Sequence, residues 1–146
     1  MVFLVSMRIF VAASYSTQVN YETGEVFPEY RGWLEDNLEK LEKFGHTVFC
    51  ALRADNYKIN DADPAKAFSL DETEITAAEG ILAFVTDKVS AGVQTEIGMA
   101  IAQKKSVVLA HTEDTELAYF NRAIVLAGQA RELIMPIVVD PFVTKS

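Results

Sequence analysis

Two carboxylates and a few hydroxyls are the residues of this chain whose types and spacing could do chemistry. Glu96 sits six residues after Ser90 in the run Ser90-Ala-Gly-Val-Gln-Thr-Glu96. It falls at the start of a helix predicted from the spacing of Val93, Ile97, Ala100, Ile101 and Lys104. Asp71 lies on a second predicted helix, on the face that also carries Phe68, Ile75 and Ala78. Hydroxyls at Ser14, Tyr15, Ser16 and Ser90 fall in polar stretches that follow apolar ones. This inventory suits glycosidic chemistry. One carboxylate can attack or stabilise an electron-poor anomeric carbon while a second group manages the proton of the leaving group, with no metal or redox cofactor.

Each residue also has a plainer reading. Glu96 fits an acidic side chain that favours the helix dipole. Ser90, Gly92, Thr95 and Gly98 make the surroundings of Glu96 small and polar, which leaves room for a ligand. Gly92 also admits unusual dihedrals ahead of the helix. Asp71 is either a half-buried carboxylate in need of a partner or a stripe-edge residue that pairs locally, and the pattern leaves both open. Asn121, inside a predicted helix over 116–127, reads as an exposed polar residue. Tyr15 and Tyr57 could line a base pocket or simply pack. Trp33 reads as core packing and His46 as a turn residue.

These residues need a scaffold, and the apolar runs predict one. Ile81–Val85 is apolar on both faces, as in a strand covered by helices on each side, and Ser106–Ala110 reads as its parallel neighbour. The helix between them is then a right-handed crossover whose amino end faces the carboxyl edge of the sheet, where open α/β sheets place ligands. Ile9–Ala13, Thr47–Ala51 and Ile137–Val139 complete five strands, with helices after Pro28, closed by Gly45, and after the cap-like Asp63-Pro64 pair. The expectation is a three-layer Rossmann-like (flavodoxin-like) α/β domain with a mostly parallel five-stranded sheet. It forms one domain over 1–146, with residues 1–6 readable as an extension ahead of Met7.

Composition narrows the function classes. With 146 residues, 50% of them hydrophobic and 23% charged, the chain is long enough for one core. A net charge of -8 argues against nucleic acid or anionic membrane as partner, but not against a small phosphorylated substrate held by local amides and hydroxyls. A single Cys50 excludes an internal disulfide framework, and His46 and His111 show no metal-ligand spacing. Neither a Gly-x-Gly-x-x-Gly after the first strand nor a Walker A pattern occurs. No cofactor is expected. Arg8 interrupts the apolar amino-terminal run, which resembles neither a signal peptide nor a span, so a cytoplasmic location is the expectation.

The segments Arg8-Ile-Phe-Val-Ala-Ala-Ser14, Gly45-His-Thr-Val48 and, most specifically, Ser90-Ala-Gly-Val-Gln-Thr-Glu-Ile-Gly-Met-Ala-Ile-Ala-Gln-Lys104 resemble the nucleoside 2-deoxyribosyltransferase superfamily. They are closest to its 2'-deoxynucleoside 5'-phosphate N-hydrolase branch. The resemblance implies that Glu96 is the nucleophile and that Asp71 serves the base and sugar end of the site. It also implies that Ser14 and Ser90 bind a 5'-phosphate. At the position of Ser90 the transferases carry an aspartate for the sugar hydroxyls. Asn121 matches the transferases instead, and Glu79 stands where the family has an aspartate. The resemblance further implies a homodimer, or an assembly of dimers, with Asn121 near the neighbouring site. The function expected is hydrolysis of a deoxynucleoside 5'-monophosphate to free base and deoxyribose 5-phosphate. Deoxyribosyl transfer between bases is the alternative, and a nucleotide-binding module with little turnover is a third reading.

Overall fold

The computed structural model of the protein describes residues 6–58 and 63–143. Its main sheet comprises β1 (Arg8–Ala12), β4 (Thr47–Phe49), β5 (Gly80–Phe84), β6 (Ser106–His111) and β7 (Arg131–Ile134), in the order β4-β1-β5-β6-β7. All four pairings are parallel. Between β1 and β4 lie a two-stranded antiparallel hairpin, β2 (Val19–Asn20) with β3 (Glu25–Val26), and α1 (Pro28–Lys43). After β4 come α2 (Ala51–Ala54) and α3 (Pro64–Ala77), then α4 (Ala91–Ala102) between β5 and β6, and α5 (Tyr119–Leu126) between β6 and β7. The expected α/β architecture with a parallel five-stranded sheet is therefore present.

The strand sequences explain the layering. Side chains alternate across a strand, so Ile9 and Val11 enter one core with Leu34, Leu38 and Leu41 of α1. Phe10 and Ala12 enter the other core, with Ile75 of α3 and Val93, Ile97 and Ala100 of α4. α3 starts as the sequence predicts, with Pro64 in its first turn and the Asp63 carboxylate accepting from the Lys66 amide at 3.0 Å.

Two expectations need correction. The fifth strand is Arg131–Ile134, not Ile137–Val139. The Met135 amide donates to the His111 carbonyl at 2.7 Å, and Pro136, which has no N–H, leaves the ladder. Ile137 and Phe142 then turn back into the α1-side core while Val138 and Val139 are exposed. The second strand stops at Phe49, and Ala51 begins the short α2. The loop after β1 folds into the β2–β3 hairpin, with Val19 and Val26 buried.

His46 is more than a turn residue. Its Nδ1 accepts from the Met7 amide at 3.1 Å, which leaves Nε2 as the donor to both oxygens of Asp140 at 2.8 Å. This buried tie fixes the segment after β7 against the start of β1. Gly80 helps, because a Cβ there would come within 2.8 Å of the Phe142 ring. Trp33 meets the packing expectation on one side only: its ring sits edge-on to Phe84 at 4.7 Å, yet the residue is 40% exposed.

Candidate active site

Parallel strands that end together put their following loops on one edge, and an open cleft of about 980 Å³ lies there. Ala13 and Tyr15 after β1, Cys50 and Leu52 after β4, Phe68 and Asp71 of α3, and Gly92, Glu96 and Met99 of α4 all line it. The two carboxylates read from the sequence thus share one wall, contributed by two neighbouring helices.

Asp71 and Glu96 make a hydrogen bond to each other. Two carboxyls in such contact hold one proton between them, because full ionisation would place like charges side by side. Burial pushes the Glu96 carboxyl up, to about 9, with the hydrogen bond to Asp71 and its charge adding to the effect. Asp71 is also raised by burial, but its hydrogen bond to Glu96 pulls it back down while the Asp55 charge pushes it up. Both carboxyls are thus raised, and the pair keeps a proton above the ordinary carboxylate range. Cys50 shares the cleft, and burial pushes its thiol up to about 11, so it stays neutral there.

Ser14 and Ser90 come together elsewhere. They line a small pocket of about 10 Å³ with Thr86, Lys88 and Gln94, enough room for about one water. Ser90 lines the large cleft as well, so the two spaces meet at this residue. Its hydroxyl caps α4, accepting from the Val93 amide at 3.4 Å, and Ser14 lies 3.4 Å from the Thr17 hydroxyl. Hydroxyls at a helix amino end, where amides lack helical partners, are suited to an anion.

The remaining candidates divide. Tyr15, Ser16 and Gly92 line the large cleft. Gly92 lies within α4 with no positive φ, and a Cβ there would meet only the Ser90 hydroxyl at 3.9 Å, so small size rather than unusual dihedrals is its contribution. Gly98 is exposed and lines neither space, so it makes no room for a ligand. Tyr57 is buried away from both; its hydroxyl donates to Glu35 and the Arg31 guanidinium lies 4.6 Å above its ring. Asn121 is 3% exposed, not a surface residue, and within this protomer lines neither space. Glu79 is structural: it accepts from the Arg8 amide at 3.1 Å.

Sequence reasoning missed the apolar walls, Leu52, Phe68, Leu70 and Met99, and the basic residue at the small pocket, Lys88. Phe68 shares its helical face with Asp71, which was the available signal: that face looks into the cleft, and Phe68 is half exposed.

No protein-family profile matches the chain, and no curated protein matches it in sequence. Solved structures do. The chain is similar to a CMP N-glycosidase, BcmB, of Clostridium botulinum, with 26% identity over 88% of each chain and a TM-score of 0.64. It is similar to BlsM with 25% identity over 89% of this chain and 81% of that one, at a TM-score of 0.72. A 2-deoxyribosyltransferase of Bacillus psychrosaccharolyticus shares the fold, at 17% identity over 88% of this chain and 99% of that one, with a TM-score of 0.58. The chain belongs to the structural superfamily of nucleoside deoxyribosyltransferases and N-glycosidases.

Proposed function

From that membership, we propose that the protein is an N-glycosidase that hydrolyses a 2'-deoxyribonucleoside 5'-monophosphate to free base and deoxyribose 5-phosphate. The observation that carries the reading is the Asp71–Glu96 pair, two carboxyls holding one proton on the wall of a nucleotide-sized cleft. Substrate binding shifts that proton to Asp71, and the Glu96 carboxylate attacks the anomeric carbon. The bond to the base breaks, its electron pair goes to the base nitrogen, and Asp71 protonates the base. Water then attacks the anomeric carbon of the glycosyl ester, gives a proton back to Asp71 and releases Glu96 as carboxylate. One proton leaves the pair and one returns, so the cycle closes.

The meeting of the small pocket and the cleft at Ser90 supports a monophosphate. An anion beside Ser14 and Ser90 leaves sugar and base to extend past Glu96 toward Phe68 and Met99. Tyr15, Ser16 and Gly92 would contact the substrate on the way. The protein acts as a homodimer or assembly of dimers in this reading, with Asn121 near the neighbouring site, and works in the cytoplasm.

The size of the cleft, at the upper end of the usual range for small-molecule sites, favours a second reading in which another base, not water, resolves the intermediate. A panel of deoxynucleosides, their 5'-monophosphates and ribonucleotides, incubated with and without an acceptor base and separated by chromatography, decides between them. Free base from monophosphates supports hydrolysis; exchanged nucleosides assign transfer. No released or exchanged base from any of them overturns both and leaves a binding module.

A further inference from the structure

We infer that Lys88 is the cationic partner of the substrate's 5'-phosphate and thereby determines the preference for phosphorylated over unphosphorylated substrate. The inference rests on the N-glycosidase reading and adds to it a residue that neither the carboxylate pair nor the serines imply.

Lys88 lines the small pocket with Ser14 and Ser90. In a chain of net charge -8, that pocket is a local exception: its lining contains a lysine and no carboxylate. The neighbouring acid is already used, since the Asp87 carboxylate accepts from the Glu116 amide at 3.0 Å. No hydrogen bond or ion pair engages the Lys88 ammonium among the described residues. Its four-carbon stem can therefore bring a charge to an anion seated where this pocket opens into the cleft at Ser90.

The loop that carries Lys88 is held at three points. Thr86 donates its hydroxyl proton to the Lys88 carbonyl at 2.9 Å, Asp87 is tied to Glu116, and Ser90 caps α4. The backbone of Lys88 is thus fixed beside the pocket while its side chain stays available. Hydroxyls and helix amides can bind a phosphate, but they do not neutralise a dianion; an ammonium does both. A solvated surface lysine, the plainer alternative, makes no contribution specific to phosphate.

The test compares the full chain with its Lys88→Met, Lys88→Arg and Lys43→Met variants. Lys43, exposed in the last turn of α1, controls for the loss of one positive charge. The readouts are the ratio of kcat/KM for a deoxynucleoside 5'-monophosphate over its nucleoside, and the salt dependence of the monophosphate reaction. Lys88→Met is expected to lower the ratio about tenfold, as for one charge-assisted contact at an exposed position, and to flatten the salt dependence. Lys88→Arg keeps most of the ratio, and Lys43→Met keeps all of it. Titration of each protein with inorganic phosphate, read by calorimetry in the Glu96→Gln background, is expected to show weaker binding for Lys88→Met without relying on turnover. Ratio, salt slope and phosphate affinity in Lys88→Met equal to those of the parent overturn the inference while leaving the N-glycosidase reading intact. A parent that releases no base, or that prefers the nucleoside, overturns that reading and the inference with it.

Discussion

Glu96→Gln should make the protein more stable at neutral pH, and the gain should vanish in acid. The ordinary glutamate value is 4.5, and burial with Asp71 beside it raises Glu96 to about 9. Below pH 4.5 folded and unfolded chains both hold this proton, so it has no effect on stability. Between 4.5 and about 9 the folded protein retains a proton that the unfolded chain has released, so folding stability falls as pH rises. At about 1.4 kcal/mol per pH unit this costs roughly 3 kcal/mol at pH 7 as a ceiling. Asp71 is only half buried and shares the proton, which brings the expected effect down to about 1–2 kcal/mol. Glutamine keeps a donor facing Asp71 and never ionises. Urea unfolding at pH 4.5 and pH 8 is the assay. With a slope of about 2 kcal/mol per molar urea, the variant's midpoint should exceed the parent's by roughly 0.5–1 M at pH 8 and match it at pH 4.5. Equal midpoints at both pH values would refute the account of a buried, protonated Glu96.

Other predictions follow from the same geometry. Glu96→Ala should abolish base release with the fold intact by circular dichroism; near-normal turnover would remove Glu96 as nucleophile. Asp71→Asn should slow release by about 10²–10⁴, most for bases that need a proton to leave, and a uniform loss across bases would argue for a positioning role alone. Ser90→Ala should lower kcat/KM for the monophosphate about 10- to 150-fold and, through the lost cap on α4, reduce stability by about 1 kcal/mol; an unchanged monophosphate-to-nucleoside ratio would leave Ser90 as a cap only. His46→Ala strands the buried Asp140 carboxylate and should destabilise the fold by about 3 kcal/mol, measured by urea unfolding, with kcat/KM of the remaining folded protein unaltered.

The sheet was legible because its central strands are apolar on both faces: Ile81–Val85 and Ser106–Ala110 allow little else than burial between helices. β7 was not, because an edge strand carries charge; Arg131 and Glu132 hide it, and the apolar Ile137–Val139 beyond Pro136 imitates a strand better than the strand itself. Among the candidate residues, Asp71 was half legible: its helical face put a carboxylate in line with Phe68 and Ile75, but local pairing at the edge of that stripe fitted the same pattern until α4 brought Glu96 against it. Tyr57 misled, because a tyrosine in a polar loop looks available until the hairpin and α1 close over it, and no local pattern announces a partner as distant as Glu35. Lys88 was invisible for the converse reason: a lysine in a loop is ordinary until strands and helix bring Ser14 alongside.

The segment after β7 has a practical consequence for handling the protein. On the sheet face occupied by α1, the area beside that helix is filled by Ile137 and Phe142, with Asp140 fastened to His46. These residues act as a plug, not a tail. Trimming the chain back to Pro136 would remove Ile137 and Phe142 from the core they share with Ile9, Leu82 and Val108, whereas a tag joined after Val143 keeps them in the chain. A protease cut at the exposed Val138–Val139 stretch would for the same reason loosen the plug and lower the stability of the sheet beneath it.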